Sequence, residues 1–205
     1  PIDNTIRRRP VVEADFSYPD KKSHYNVIEI VPNEIITKHI TAYFDGLDFD
    51  QKDVLYMANI ERYGQNLKPG LGFVKGMGLK SGALASSVAH DSHNIMVIGT
   101  NIRDMAVAVN EIIHTGGGFV VANEGVVKAS VELPIAGLLS LQSADEIKNG
   151  IEKLKTEFKK LGVALEEPFI QMAFLALPVI PALKLTDKGL VDVTQFKFIE
   201  LEATV

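Results

Sequence analysis

The stretch from Ser86 to Thr100, SSVAHDSHNIMVIGT, places His90 and His93 three residues apart, with Asp91 and Ser92 between them and Asn94 directly after. Imidazoles titrate near neutral pH and ligate metals, and a neighbouring carboxylate can orient a ring by accepting its N–H, so this group holds the side chains for acid–base work or for ligation. The spacing alone does not choose between them. Residues i and i+3 share one face of a helix but point to opposite faces of a strand, and the helical zinc pattern HExxH does not occur. Three readings stay open: a metal site, a polar cluster at a cleft, and a turn that fixes its own backbone by hydrogen bonds. Ser86 and Ser87 add further donors nearby.

Other residues with chemical potential carry weaker patterns. The run GLGFVKGMGLKSG has glycines at 70, 72, 76, 78 and 82, but neither the GxxxxGK[ST] order of a phosphate loop nor GxGxxG. Its glycines read as tight turns and places of close backbone approach, with Lys75 and Lys80 in solvent. His114 closes a helical pattern, where a cation complements the helix dipole. His24 and His39 fall in or near the first strand pair without a partner pattern, and Arg7, Arg8 and Arg9 read as a solvated linker.

The elements that must position these residues are legible from Tyr25 onward. NVIEIV and EIITKHITAYF flank a Pro32–Asn33 turn and predict a hairpin; VLYMANIER, GALASSVA and NIMVIGT predict further strands, the last two bracketing the histidines. In NIRDMAVAVNEIIHTGGG, apolar residues at 102, 105, 106, 109, 112 and 113 predict a helix lying on a sheet, stopped by Gly116 to Gly118. GFVVANEGVVKASVEL predicts a hairpin turning at Asn123 to Gly125. Ser143 and Glu146 have capping-box spacing before the stripe Ile147, Ile151, Leu154, Phe158 and Leu161, which predicts a second helix with a wet outer face. Glu166, Glu167 and Pro168 predict the start of an apolar helix through PFIQMAFLALPVIP, followed by a last strand around QFKFIEL. Together these give an α+β domain, a largely antiparallel, hairpin-rich sheet with helices packed on it.

Composition narrows the function classes. A chain of 205 residues, 46% of them hydrophobic, can close a core of its own. The net charge of −5 disfavours binding to nucleic acid through phosphate neutralisation. No apolar run approaches the roughly 20 residues that span a bilayer, so no membrane partner is expected. Cysteine is absent, which removes thiolate chemistry and suits a reducing cytoplasm.

The segments GLGFVKGMGLKSGALASSVAHDSHNIMVIGTN, GGGFVVANEG, ELPIAGLLS and FLALPVIPALKLTDKGLVDV, in that order, resemble the C-terminal domain of bacterial-type adenine deaminases, of the amidohydrolase superfamily. The resemblance covers the chain from about Tyr25 to the end, leaving residues 1–24 as a linker or the remnant of a preceding domain. It implies a cytoplasmic, homo-oligomeric enzyme of purine salvage that hydrolyses adenine to hypoxanthine and ammonia. It also implies a binuclear manganese or iron centre in a (β/α)8 barrel, whose metal-bound hydroxide attacks the purine carbon bearing the amino group. A barrel takes roughly 250 residues, and this chain has no HxH pattern. The barrel and its metals are therefore expected in a preceding N-terminal domain, the partner of this one, with no metal in this chain and no activity from it alone. A start at Pro1 instead of methionine fits that expectation. His90, Asp91, Ser92, His93 and Asn94 are then expected to form a polar loop facing the barrel active site or the seam between domains. The alternative is a freestanding small-molecule binding or regulatory module with the same fold.

Overall fold

The computed structural model describes residues 4–46, 48–49, 51–66 and 68–204. Eight segments, β1 (Ser23–Ile30), β2 (Thr37–Phe44), β3 (Val54–Ile60), β4 (Gly70–Lys75), β5 (Ala83–Ser86), β6 (Ile95–Gly99), β7 (Gly118–Asn123) and β8 (Val126–Glu132), form one sheet. Their order is β2–β1–β4–β3–β6–β5–β7–β8, and only the β1–β4 pair is parallel. Three helices follow the pattern read above: α1 (Ile102–Thr115), α2 (Ala144–Lys160) and α3 (Pro168–Leu175). A second sheet, β11–β10–β9, is built from β9 (Leu183–Thr186), β10 (Gly189–Asp192) and β11 (Lys197–Ile199). The domain is α+β with a mostly antiparallel sheet.

The large sheet is covered on both faces, which explains why its central strands read as continuous apolar runs. In β6, Ile95 and Val97 join Met105, Val109 and Ile112 of α1 on one side. Met96 and Ile98 join Leu154 and Phe158 of α2, Met172 of α3, and Leu183 and Leu185 of β9 on the other. Asn101 caps α1 by accepting from the Asp104 N–H at 2.8 Å, and Gly116 ends it in the left-handed region at φ 80°. Ser143 and Glu146 form the reciprocal capping box of α2. The third helix stops at Leu175, well short of the apolar run predicted for it, because Pro178 disfavours helical backbone at Leu177.

Two departures shape the site. The glycine-rich run contains a strand, β4, whose glycines sit where the second sheet crosses the first. A Cβ at Gly72 would come within 3.2 Å of Leu185, and one at Gly70 would fall on the Thr186 carbonyl. Beyond β4, the N–H groups of Gly76 and Gly78 donate to the Asp53 carboxylate at 3.1 and 2.8 Å, so the donors of this turn are spent on a side chain. Lys80 is exposed, but Lys75 is half-buried, donating to Gln51 Oε1 at 3.1 Å. The second departure is at the N-terminal segment. Arg8 is buried and donates to the Asn66 carbonyl at 2.7 Å, so the solvated reading fails for it. Ile6, Val11 and Phe16 hold this segment in the α1-side core, and Asn110 both accepts from and donates to the Val11 backbone, at 2.8 and 3.0 Å. Three anchors at irregular spacing leave no period to detect.

Candidate functional site

Because β5 and β6 are antiparallel neighbours, the chain between them must reverse over the end of the sheet, and residues 87–94 make that reversal. Each end is pinned. Ser87 Oγ donates to the Gly137 carbonyl at 2.6 Å and accepts from the Gly118 N–H at 2.8 Å. The His93 N–H donates to the Ala89 carbonyl at 2.7 Å, closing the turn, and the His90 N–H donates to Ala173 of α3 at 3.0 Å. The His90 ring packs 5.0 Å from Phe174 and 5.7 Å from the His93 ring, centroid to centroid. Its Nδ1 lies 3.9 Å from an Asp91 carboxylate oxygen.

Arg62, just past the end of β3, binds the loop to the rest of the molecule. Its Nη1 donates to the His93 carbonyl at 3.1 Å, and its Nη2 donates to the Ala136 carbonyl at 2.7 Å and to Thr5 Oγ1. The Arg62 N–H reaches Asn94 Oδ1 at 3.4 Å, and the neighbouring Tyr63 hydroxyl donates to the Ser92 carbonyl at 3.0 Å. The guanidinium is buried without a carboxylate partner among the described residues, and burial lowers its pKa. Its Nε and His93 Nδ1 are buried and have no protein hydrogen-bond partner. Burial, then the nearby His90 and Arg62, hold the His93 pKa below its ordinary 6.5, so this ring is neutral at pH 7.

Between this loop and the β9–β10 turn lies a cavity of about 180 Å³. His90, Ser92 and Asn94 line it from the loop; Asn59, Asp187 and Phe198 line it from β3, the turn and β11. The structure thus brings three of the five loop candidates to one wall. Asp91 is turned to solvent, its side chain 84% exposed, and His93 lies toward Arg62. Asn59, Arg62, Asp187 and Phe198 were not singled out in the sequence. Asn59 in the apolar run VLYMANI was the available signal, since a buried amide on a two-faced strand needs a reason.

Other candidates resolve into scaffolding. His114 is exposed in the last turn of α1, and His39 Nε2 pairs with Asn26 Oδ1 at 2.7 Å across the first hairpin. Among the described residues no three His, Asp or Glu side chains converge as a metal site requires. The donor set therefore does not fit a binuclear centre. No helix of the described residues is long and apolar enough to cross a membrane.

Residues 34–197 match the family model described as the adenine deaminase C-terminal domain. The chain is 68% identical over 202 residues to the adenine deaminase of Bdellovibrio bacteriovorus, covering 98% of the chain and 34% of that protein. It is 49% identical to the adenine deaminase of Shewanella halifaxensis, again over 98% of the chain and 34% of the relative. With that of Shigella sonnei it shares 48% identity over 100% of the chain and 35% of the relative. The chain spans about a third of the length of these curated relatives. It belongs to the adenine deaminase C-terminal domain family.

Proposed function

We propose that this chain is the C-terminal portion of a cytoplasmic adenine deaminase, which hydrolyses adenine to hypoxanthine and ammonia. Loop 87–94 contributes to the cleft between this domain and an upstream one. The observation that carries the reading is the Arg62 junction. Through one guanidinium it fastens Thr5, where the chain enters from upstream, to the His93 carbonyl of the loop and to Ala136. Asn4 donates to the Pro134 carbonyl at 2.8 Å, on the turn that carries the exposed Leu139 and Leu141. An upstream domain joined at this point meets the loop and an apolar surface together, and covering that surface is favourable. The manganese or iron centre is assigned to that upstream domain, and the oligomer to the whole protein.

The role of this chain's residues follows from their state. Burial keeps the His93 ring below its ordinary pKa, the half-exposed His90 ring reaches the cavity, and Ser92 and Asn94 beside it can orient a polar ligand. The test is hydrogen exchange on this chain and on the protein that also carries the upstream region. Residues 87–94 and 134–141 should exchange more slowly in the longer protein; unchanged exchange there, with protection on another face, would place the seam elsewhere.

A further inference from the structure

We propose that the cavity between the β1–β2 turn and the first turns of α3 is a binding site for an alkylguanidinium, either a free small molecule or the side chain of an arginine. It shares no lining residue with the cavity at loop 87–94. Its volume, about 120 Å³, lies below the roughly 300–1,000 Å³ of sites for drug-sized ligands. One flat charged group with a short stem is what it accommodates.

The chemistry follows from which polar atoms are already spent. Gln171 of α3, 8% exposed, lines the cavity. Its Nε2 donates to the Glu34 carbonyl at 2.7 Å, which fixes the amide orientation and leaves Oε1 as the acceptor. Oε1 makes no hydrogen bond among the described residues, and unlike Arg62 Nε and His93 Nδ1 it is not sealed from the surface. An amide so deeply buried, with its acceptor open, marks a place for a donor. Glu34, Glu166 and Glu167 line the same cavity. Glu167 is paired with Lys155 at 2.8 Å, whereas Glu34 and Glu166 have no ion-pair partner among the described residues. Lys184 does not line the cavity, and its Nζ is spent on the Ile35 and Phe174 carbonyls. Of the lining side chains only Asn33 has an uncommitted donor. An anion here would meet three carboxylates, while a cation rich in N–H groups meets acceptors. The walls favour guanidinium over ammonium. Ile35 and Ile170 are exposed and the Phe174 ring lines the cavity, which suits a flat, weakly hydrated cation that stacks on rings. Its fork can also present N–H groups to an amide oxygen and a carboxylate at once. The Phe174 ring packs 5.0 Å from that of His90, so a ligand against Phe174 is felt at the loop.

The experiment is a titration of this chain with n-butylguanidinium, with N-butylurea as its flat neutral counterpart, and with a capped Gly-Arg-Gly peptide, followed by backbone amide shifts and the His90 ring signals. n-Butylguanidinium should bind saturably and shift residues 33–35, 165–171 and the His90 ring, with N-butylurea weaker by at least about tenfold. The double variant Glu34→Gln/Glu166→Gln, both positions exposed, should weaken n-butylguanidinium by about fivefold without moving the unfolding midpoint. Binding of the peptide more tightly than n-butylguanidinium assigns the site to an arginine of a partner chain, and weaker binding assigns it to a free guanidine; both retain the site. Absence of saturable binding, equal affinity for n-butylguanidinium and N-butylurea, or unchanged affinity in the double variant would overturn it.

Discussion

Arg62 and Lys184 are both buried cations without a carboxylate partner among the described residues, yet they sit in very different surroundings. Lys184 Nζ donates to the Phe174 carbonyl at the end of α3, at 3.0 Å, and to Ile35 in the β1–β2 turn, at 2.8 Å. It ties a helix C-terminus to a turn, and although Ile35 and Phe174 also line a cavity of about 120 Å³, Lys184 itself does not. Arg62 also ties three segments together, but Arg62 Nε and His93 Nδ1 at this junction lack protein partners. Buried charge by itself therefore marks a junction in this fold. The two junctions differ in how completely they are satisfied: Lys184 Nζ has two carbonyl acceptors, whereas Arg62 Nε and His93 Nδ1 have no protein partner.

Replacing the two cations should separate junction from site. Arg62→Met strips hydrogen bonds from the part-buried His93 and Ala136 carbonyls and from Thr5, each worth about 1 kcal/mol. Urea unfolding should show a loss of about 3 kcal/mol, with faster hydrogen exchange in residues 87–94. A loss below about 1 kcal/mol would mean that the loop does not depend on this junction.

Lys184 makes a prediction about pH. Burial lowers its pKa from 10.5 to about 8, so between these values the unfolded chain binds more protons and stability rises with pH. Below that window the burial penalty is fully present, of order 3 kcal/mol, and above it the penalty is gone. Comparison of wild type with Lys184→Met from neutral pH to about pH 10.5 should show this rise in the wild type and not in the variant. Parallel curves would contradict the assignment.

A smaller effect is expected at Asp192, whose carboxylate contrasts with that of Asp187. Its oxygens accept from the Thr194 hydroxyl at 2.6 Å, the Thr194 N–H at 2.9 Å and Gln195 Nε2 at 2.7 Å. The Thr194 hydroxyl is the leading cause of its lowered pKa. Its contribution is present above the ordinary carboxylate range and is lost as pH falls through the lowered value. Asp192→Ala should cost about 2 kcal/mol at neutral pH and reduce the acid sensitivity of unfolding.

Where burial followed a period, the elements were legible. The first hairpin, α1, α2 and the β7–β8 pair carry alternating or helical apolar patterns, and each lies where those patterns place it. β4 was hidden because the positions under the second sheet are Gly70 and Gly72, which leave no apolar signal where the backbones approach. The β9–β10 hairpin was hidden because Leu183, Leu185 and Leu190 continue the apolar character of α3 through PVIPALKL, so periodicity did not mark the change of element. At the site, the histidine-bearing loop was visible as a dense run of polar side chains. Its partners were not, since Asn59, Asp187 and Phe198 come from β3, the β9–β10 turn and β11, and only the crossing of the two sheets brings them to one cavity.

The claim that loop 87–94 serves the reaction is tested most directly by His90→Gln and His93→Asn in the protein that carries the upstream region, with steady-state kinetics on adenine and thermal unfolding of the same preparations. Each variant should lower kcat/KM by at least about tenfold, equal to roughly 1.4 kcal/mol of transition-state stabilisation, with little change in folding stability. The structure supports that separation, because His93 Nδ1 has no protein partner to lose and the loop is held through backbone groups of His90, Ser92 and His93. Wild-type kinetics per folded molecule, accompanied by a stability loss of about 1–3 kcal/mol, would instead make both imidazoles part of the scaffold and contradict the account.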